Sequence, residues 1–561
     1  LKLDSFGTTP DFSDVYSHFV LPLMAQLYAA LPYQPLKLRD AIKRGDPLCI
    51  IKECTDALWD VDTPEYHLGV RTIRALLEKN TELHIPGIDP ARAAAIEARR
   101  CEIDCELENE LLLSLLGQSR KVSPLKDYAL RANSYIYDVA RKISEILGAA
   151  PKLSELKMRF GPGATVNLSK KKANVVTKLS LVEKTCSKSI LPLVNELCEE
   201  FPHLAPEIRK CVPAPAKIAF VEKNYKTHRP IAVEPWLNTL VQLGIGDYMA
   251  KRLRFFGVDI RDQSMNQRLA RYGSMTNAVS TIDLSSASDT ISYELVRQLM
   301  PPDWFALLVR ARSDENRVGK FVFRPSKFSS MGNGFTFPLE TLIFHCISLV
   351  AAERTARSTF FCSTYGDDMI VPTESFALTV DILNTFGFRV NVDKSFTGAT
   401  PFRESCGKDY MRGHSVRPTY LWDNQIAKYL FAAHNRYDGT RYAAIFKRFV
   451  YACCRDFLLW GPPEMGDGHL HTRTPEKVFK KTHLERGFGG YTFKTYVYAT
   501  DTSRLDLTRY RMGQLVHLYL IYADGPSDWL HGESMGKLDR NGLFLTASRE
   551  GRWIERTLYT Y

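Results

Sequence analysis

Two adjacent carboxylates, Asp367 and Asp368, close the tetrad Tyr365-Gly366-Asp367-Asp368. Before it runs Thr359-Phe360-Phe361-Cys362, and after it Met369-Ile370-Val371, both apolar and β-prone, with Pro372 ending the second. Apolar run, Gly-Asp, apolar run is the pattern of a β-hairpin. The turn would hold both carboxylates at a sheet edge, where like charges resist joint ionisation unless a cation lies between them. Oxygen donors suit a hard divalent ion, so Mg²⁺ is the expected partner. A plain polar turn would look the same in isolation, and the tetrad gains its weight from what lies upstream.

Upstream, residues 279–282 read as a short buried strand ending in Asp283. Leu284-Ser285-Ser286-Ala287-Ser288-Asp289-Thr290 follows. Its serines offer N-caps for a helix through Leu295, Val296 and Leu299 that stops at Pro301-Pro302. A carboxylate at the end of a strand, just before a helix, is well placed to face a ligand. Asp283 is therefore expected to share a metal site with Asp367.

Cations come in two stretches. Residues 151–178 hold Lys152, Lys157, Arg159, Lys170, Lys171, Lys172 and Lys178 against Glu155 alone. Among them sits Arg159-Phe160-Gly161-Pro162-Gly163, whose glycines would let backbone approach a phosphate. A solvated basic loop is the plainer alternative. The second stretch is Lys217, Lys223, Lys226, His228 and Arg229, with Tyr225 interleaved. Spaced cations with an aromatic suit a triphosphate or an RNA backbone. Ser330-Met331-Gly332-Asn333-Gly334-Phe335-Thr336 is a Gly-rich loop leading into an apolar helix over about 339–352, a second place for phosphate contact.

The elements that position these groups follow from pattern. Strand, helix, hairpin, helix over 376–386 and strand in this order suit a small sheet backed by helices, of the ferredoxin-like kind, in an α+β chain. Residues 1–150 read as mainly helical, with Leu107, Leu111, Leu112 and Leu115 as a core stripe and a break at Gly148. A chain of 561 residues implies roughly three or four lobes. The 74 Lys and Arg outnumber 63 Asp and Glu by 11, a lean toward a polyanionic partner. The 12 cysteines show no zinc or disulfide spacing and suit a reducing cytoplasm. His469 and His471 read as surface histidines. The apolar stretch 19–30, broken by Pro22 and Gln26, is too short for a membrane span, so no membrane is expected. The chain begins at Leu1 rather than Met, so a few residues are missing or the start is unusual.

Six runs carry a resemblance. They are Lys223-Asn224-Tyr225-Lys226-Thr227-His228-Arg229, Asp262-Gln263-Ser264-Met265-Asn266-Gln267-Arg268, Thr281 to Asp289, Ser330 to Phe337, Tyr365 to Asp368, and Phe402-Arg403-Glu404-Ser405-Cys406-Gly407. In this order they resemble the replicase of positive-strand RNA bacteriophages, the levivirus-type RNA-dependent RNA polymerase. The resemblance implies a right hand: fingers over 151–262, a ferredoxin-like palm over 263–415, and a thumb or C-terminal region over 416–561. It implies that Asp283, Asp367 and Asp368 hold two Mg²⁺, with Mn²⁺ or Ca²⁺ as substitutes. Such ions, about 3.5–4 Å apart, would activate a 3′-hydroxyl and stabilise the leaving pyrophosphate. Lys223, Lys226 and Arg229 would grip the triphosphate, and Lys394 would give a proton to pyrophosphate.

Asp289, Ser330, Gly332 and Asn333 would line the nucleotide, with Asp289 and Asn333 near the ribose. Lys157, Arg159, Gly161 and Gly163 would meet RNA. Implied partners are single-stranded template and nascent RNA, ribonucleoside triphosphates, host elongation factors Tu and Ts and a ribosomal RNA-binding protein, all in the bacterial host cytoplasm. Two departures stand out. Asp289 follows Asp283 one residue later than in many viral RNA polymerases, and Glu340 stands where many carry Asn. A reverse transcriptase shares the Tyr-x-Asp-Asp pattern but usually gates the sugar with an aromatic, which residues 284–289 lack. A non-catalytic RNA-binding protein is the third reading.

Overall fold

The structure is a computed structural model. It describes residues 1–474, apart from 120, 122–123, 171–172, 174, 203, 356–358 and 473, together with 480–481, 491–504 and 545–560. Lys171 and Lys172 of the first basic stretch lie outside the described residues.

Val279–Ile282 is a strand with every residue buried. Val279, Thr281 and Ile282 are β-branched and favour extended backbone at a packed surface. This strand pairs antiparallel with Asp368–Pro372, Ile282 opposite Met369. Asp368–Pro372 pairs in turn with Ser363–Tyr365, Asp368 opposite Tyr365. That register leaves Gly366-Asp367 as a two-residue turn, with Gly366 at φ +60°. The hairpin has the expected centre but a later start. The Cys362 N–H donates to the Thr359 carbonyl, so 359–362 form a turn and the strand begins at Ser363. Arg389–Val390 pairs antiparallel with Leu284–Ser285, just beyond the first strand. Asp368–Pro372 is thus the middle strand of a three-stranded sheet, and the pair Arg389–Val390 with Leu284–Ser285 is a separate two-stranded sheet beside it, in a chain that mixes helix and sheet.

The helix Thr336–Thr355 packs behind the hairpin and runs longer at both ends than its apolar pattern suggested. By length and composition it could cross a membrane, but 83% of its apolar window is buried inside the protein. The helix Tyr293–Leu299 is capped by Ser292, whose Oγ accepts from the Leu295 N–H, and not by the serines at 285–288.

Two large cores organise the rest. One joins the helices Lys126–Leu147, Trp236–Phe255 and Thr336–Thr355 to Ile282, Met369 and Val371 of the central sheet. The other packs Phe19, Leu23 and Leu27 near the start of the chain against Leu430, Phe431 and Phe446. The N-terminal 150 residues are helical, and they divide between these cores. The leucine stripe is only partly core. Leu107 is 64% exposed, and the buried face of Pro90–Leu115 carries Ala94, Cys101, Cys105 and Leu112. Glu97 and Glu102 of that helix pair with Arg389 and Lys327.

A second sheet orders His228–Val233, Ala216–Glu222, Asn316–Val318 and Phe321–Phe323 side by side. The Gly-rich loop is pinned to it. The Ala232 N–H donates to the Met331 carbonyl at 2.8 Å. A Cβ on Gly332, at φ +107°, would sit 2.2 Å from the Ala232 oxygen. His469 is fully buried, with Nδ1 at Thr495 Oγ1 and Nε2 at the Pro462 carbonyl, so it is a satisfied core histidine and not a surface one. All 12 cysteines are free thiols.

Candidate active site

The strand register brings the expected carboxylates together. Asp283 follows Ile282, which lies opposite Met369, so it stands next to Asp368 across the ladder. Asn391 Nδ2 donates to Asp283 Oδ2 at 2.9 Å, and Lys394 Nζ lies 3.8 Å from the same oxygen. Burial raises the Asp283 carboxyl; Lys394 opposes this and Asp367 adds to it. Asp368 is pushed up to about 7 by burial first, then by Asp367, with the Cys406 N–H pulling the other way and Asp283 and Glu404 adding. Ser405 Oγ donates to Asp368 Oδ1 at 3.3 Å. Beneath the turn, Glu340 is buried, and burial followed by Asp367 and Asp289 raises its carboxyl well above the usual range.

Such crowding of like charges favours a cation. The donor chemistry fits a hard divalent ion, because all three groups are carboxylates and Asp368 needs a counter-charge to stay ionised at neutral pH. Among the described residues no three His, Cys, Asp or Glu are gathered closely enough to form a ligand set, so the fit rests on donor type and charge.

Lys223 and Lys394 face this cluster. Lys223, Lys226 and Arg229 are exposed at the end of the hairpin formed by Ala216–Glu222 and His228–Val233. Burial, Arg229 and Lys394 lower the Lys223 ammonium, while Asp283 and Asp367 raise it. Burial works against the Lys394 ammonium too, but Asp283, Glu404, Glu78 and Asp367 outweigh it and raise it overall. Asn224 Oδ1 accepts from the Lys226 and Thr227 N–H groups and fixes the turn that presents these side chains. Tyr225, the aromatic interleaved among these cations, is 3% exposed and belongs to the second core.

Other expected contacts are engaged elsewhere. Asp289 is buried and paired with Lys327 at 2.8 Å. Asn333 is buried, and its Oδ1 accepts from the Phe335 N–H at the start of the long helix. The Ser330 carbonyl accepts from Asn333 N–H and Thr336 Oγ1, and Gly332 is packed on Ala232. Lys327 thus engages one Asp289 oxygen, and the Phe335 N–H the Asn333 amide oxygen. Arg159 makes a bidentate pair with Asp247, Nε at 2.6 Å and Nη2 at 2.9 Å. The Gly161 carbonyl accepts from buried Lys178, while Lys157 is exposed and a Cβ on Gly163 would meet open space.

A family model described as RNA replicase, beta-chain, matches residues 75–430. The chain belongs to the RNA replicase beta-chain family. The match encloses every candidate residue from Lys157 to Lys394. The RNA-directed RNA polymerase subunit beta of Enterobacteria phage SP is 36% identical over 359 residues, 63% of this chain and 60% of that relative. That of Escherichia virus Qbeta is 36% identical over 343 residues, 60% of this chain and 56% of its own. The RNA-directed RNA polymerase beta chain of Enterobacteria phage fr is 44% identical over 201 residues, 36% of each chain. The chain therefore spans less than two thirds of the length of these relatives. A solved BmCPV RNA-dependent RNA polymerase at elongation state superposes at TM-score 0.33 and 13% identity, over 59% of this chain and 34% of that one. So loose a likeness carries no argument about fold.

Some residues at the family member's carboxylates escaped sequence reasoning. Asn391 and Ser395 hold Asp283, and both lie in an Asn-x-Asp-Lys-Ser run whose polar density was the available signal. Glu97, Glu102 and Asn109 reach Ser286, Lys327 and the Ser326 carbonyl from the helix Pro90–Leu115. Nothing in local pattern announces contacts across such sequence separations.

Proposed function

We propose that the chain is an RNA-dependent RNA polymerase that copies a single-stranded phage RNA by nucleotidyl transfer from ribonucleoside triphosphates. The observation that carries this reading is the meeting of Asp283 with the Asp367-Asp368 turn, faced by Lys223 and Lys394. In this reading residues 263–415 are the palm, 151–262 the fingers and 416–561 the thumb or C-terminal region. Phosphoryl transfer asks mainly for positioning and charge neutralisation. Lys223, Lys226 and Arg229 hold the incoming triphosphate. Lys394, salt-bridged to Asp283 and kept protonated by it, is placed to give a proton to pyrophosphate. Asp283, Asp367 and Asp368 would hold two Mg²⁺, which when bound supply activation of the 3′-hydroxyl and charge neutralisation on the leaving group. Template, nascent RNA, the host elongation factors Tu and Ts and a ribosomal RNA-binding protein complete the proposed assembly in the bacterial cytoplasm.

Metal-dependent primer extension on an RNA template tests this, with ribo- and deoxyribonucleotides run side by side. Asp283→Asn and Asp367→Asn should each cut incorporation by on the order of 10³ or more, as removal of a major electrostatic stabiliser does, and leave RNA binding intact. Wild-type rates in either variant would sink the assignment. Equal use of both sugars would point to a reverse transcriptase, and RNA binding without extension to a non-catalytic binding protein.

A further inference from the structure

We infer that Asn266 is a positioning residue for Asp368, acting through Ser405; the inference rests on the polymerase reading. Asn266 is 3% exposed, in the first turn of the helix Ser264–Thr276. Its Nδ2 donates to the Asp368 carbonyl at 3.0 Å and to Ser405 Oγ at 3.2 Å. Its Oδ1 accepts from Ser363 Oγ at 2.6 Å. Both amide hydrogens are used, and each bond goes to a different segment. Ser363 starts the strand before the acidic turn, Asp368 starts the strand after it, and Ser405 ends Phe402–Ser405.

The next residue strengthens the clamp. Gln267 Nε2 donates to the Cys406 carbonyl at 3.0 Å. Cys406 and Gly407 form a two-residue turn, at φ +47° and +69°, between Ser405 and Lys408. Ser405, at the start of that turn, donates its Oγ to Asp368 Oδ1. Asn266 and Gln267 thus tie the hairpin to the turn that carries this donor to its second carboxylate. A carboxylate works in a site only when its supports fix it to within about 0.5 Å. Two of the sequence runs without an assigned role, 262–268 and 402–407, acquire one here.

The test uses the full chain and Mn²⁺ alone as probe, read by loss of the free-ion EPR signal, alongside steady-state incorporation. Removal of a supporting group typically costs about 10- to 100-fold in metal affinity or activity. Ser405→Ala and Asn266→Ala should therefore weaken Mn²⁺ binding by about tenfold or more and lower kcat, with the nucleotide KM little changed. Ser405→Thr, which keeps the hydroxyl, should restore both. Folded variants with wild-type Mn²⁺ binding and kcat overturn the inference. Should Asn266→Ala fail to fold, Ser405→Ala and Ser405→Thr decide alone. A wild type that binds Mn²⁺ but extends no RNA defeats the polymerase reading, while the Mn²⁺ comparison still decides the clamp. A wild type that binds no Mn²⁺ overturns both.

Discussion

Lys327 Nζ lies 2.8 Å from Asp289 Oδ1, and both side chains are almost sealed from water. Glu102 Oε1, from the helix Pro90–Leu115, stands 3.7 Å from the same ammonium. Removing one partner of a buried pair leaves an uncompensated charge, at a cost of about 3–5 kcal/mol. Asp289→Ala should therefore destabilise the chain by about that much in urea unfolding. Asp289→Ala combined with Lys327→Met should recover most of the loss. A single-variant loss of a few tenths of a kcal/mol would mean that Glu102 alone holds Lys327. Ribo- over deoxyribonucleotide preference, measured on the double variant, then tells whether Asp289 has any sugar contact beyond its structural pairing.

Arg229 is exposed on its strand and close enough to Lys223 to lower that ammonium. If it grips the triphosphate, Arg229→Ala should raise the nucleotide KM about tenfold, the scale of one charge-assisted hydrogen bond. Template affinity and its salt dependence should stay near wild type. A flattened salt dependence with unchanged KM would reassign the residue to the RNA backbone.

Arg159 and Lys157 were expected to act alike on RNA, and their surroundings separate them. Arg159 is spent on Asp247, whereas Lys157 is exposed. Arg159→Ala should lower stability by about 1 kcal/mol, as loss of a partly exposed pair does, and leave RNA affinity unchanged. Lys157→Ala should leave stability unchanged and reduce the salt slope of RNA binding by about 1. Filter binding over a range of salt, together with thermal unfolding, reads both.

The hairpin, its turn and the strand before Asp283 were legible because each is a local pattern: period, β-branching and a Gly-Asp turn. The second core was not. Phe19 meets Phe449 and Tyr225 joins them in it only through contacts between distant parts of the chain, which no window of sequence contains. Charged residues misled most where burial decided the outcome. Asp289 and Lys178 each found a partner inside, and Arg159 pairs with Asp247 where both side chains are partly exposed. The Gly-rich loop read as a place for phosphate contact, but Gly332 is packed where Ala232 leaves no room for a Cβ. Of the family-like runs, the acidic ones disclosed a chemistry by residue type. Those at 262–268 and 402–407 did not, because amides and a serine take their meaning from what they touch.

Lys178 supplies a pH test of the basic segment. Its side chain is 1% exposed, and Nζ donates to the Gly161 carbonyl at 2.5 Å. Burial lowers the ammonium from its ordinary 10.5 to about 8. Between those values the unfolded chain binds the proton more tightly than the folded one, so stability contributed by this residue rises with pH. Below about 8 both states are protonated and the penalty is constant; above 10.5 neither is, and the penalty is gone. Buried tyrosines such as Tyr66 and Tyr442, raised by burial, act oppositely near pH 10, so the raw stability curve mixes both signs. The difference between wild type and Lys178→Met isolates the lysine. From pH 8 to 10 that difference should move in favour of wild type by about 2–3 kcal/mol, the equivalent of the shift at 1.36 kcal/mol per pH unit. A flat difference would mean that the Gly161 carbonyl holds the proton in place despite burial, and that Lys178 stays charged beneath the loop carrying Lys157.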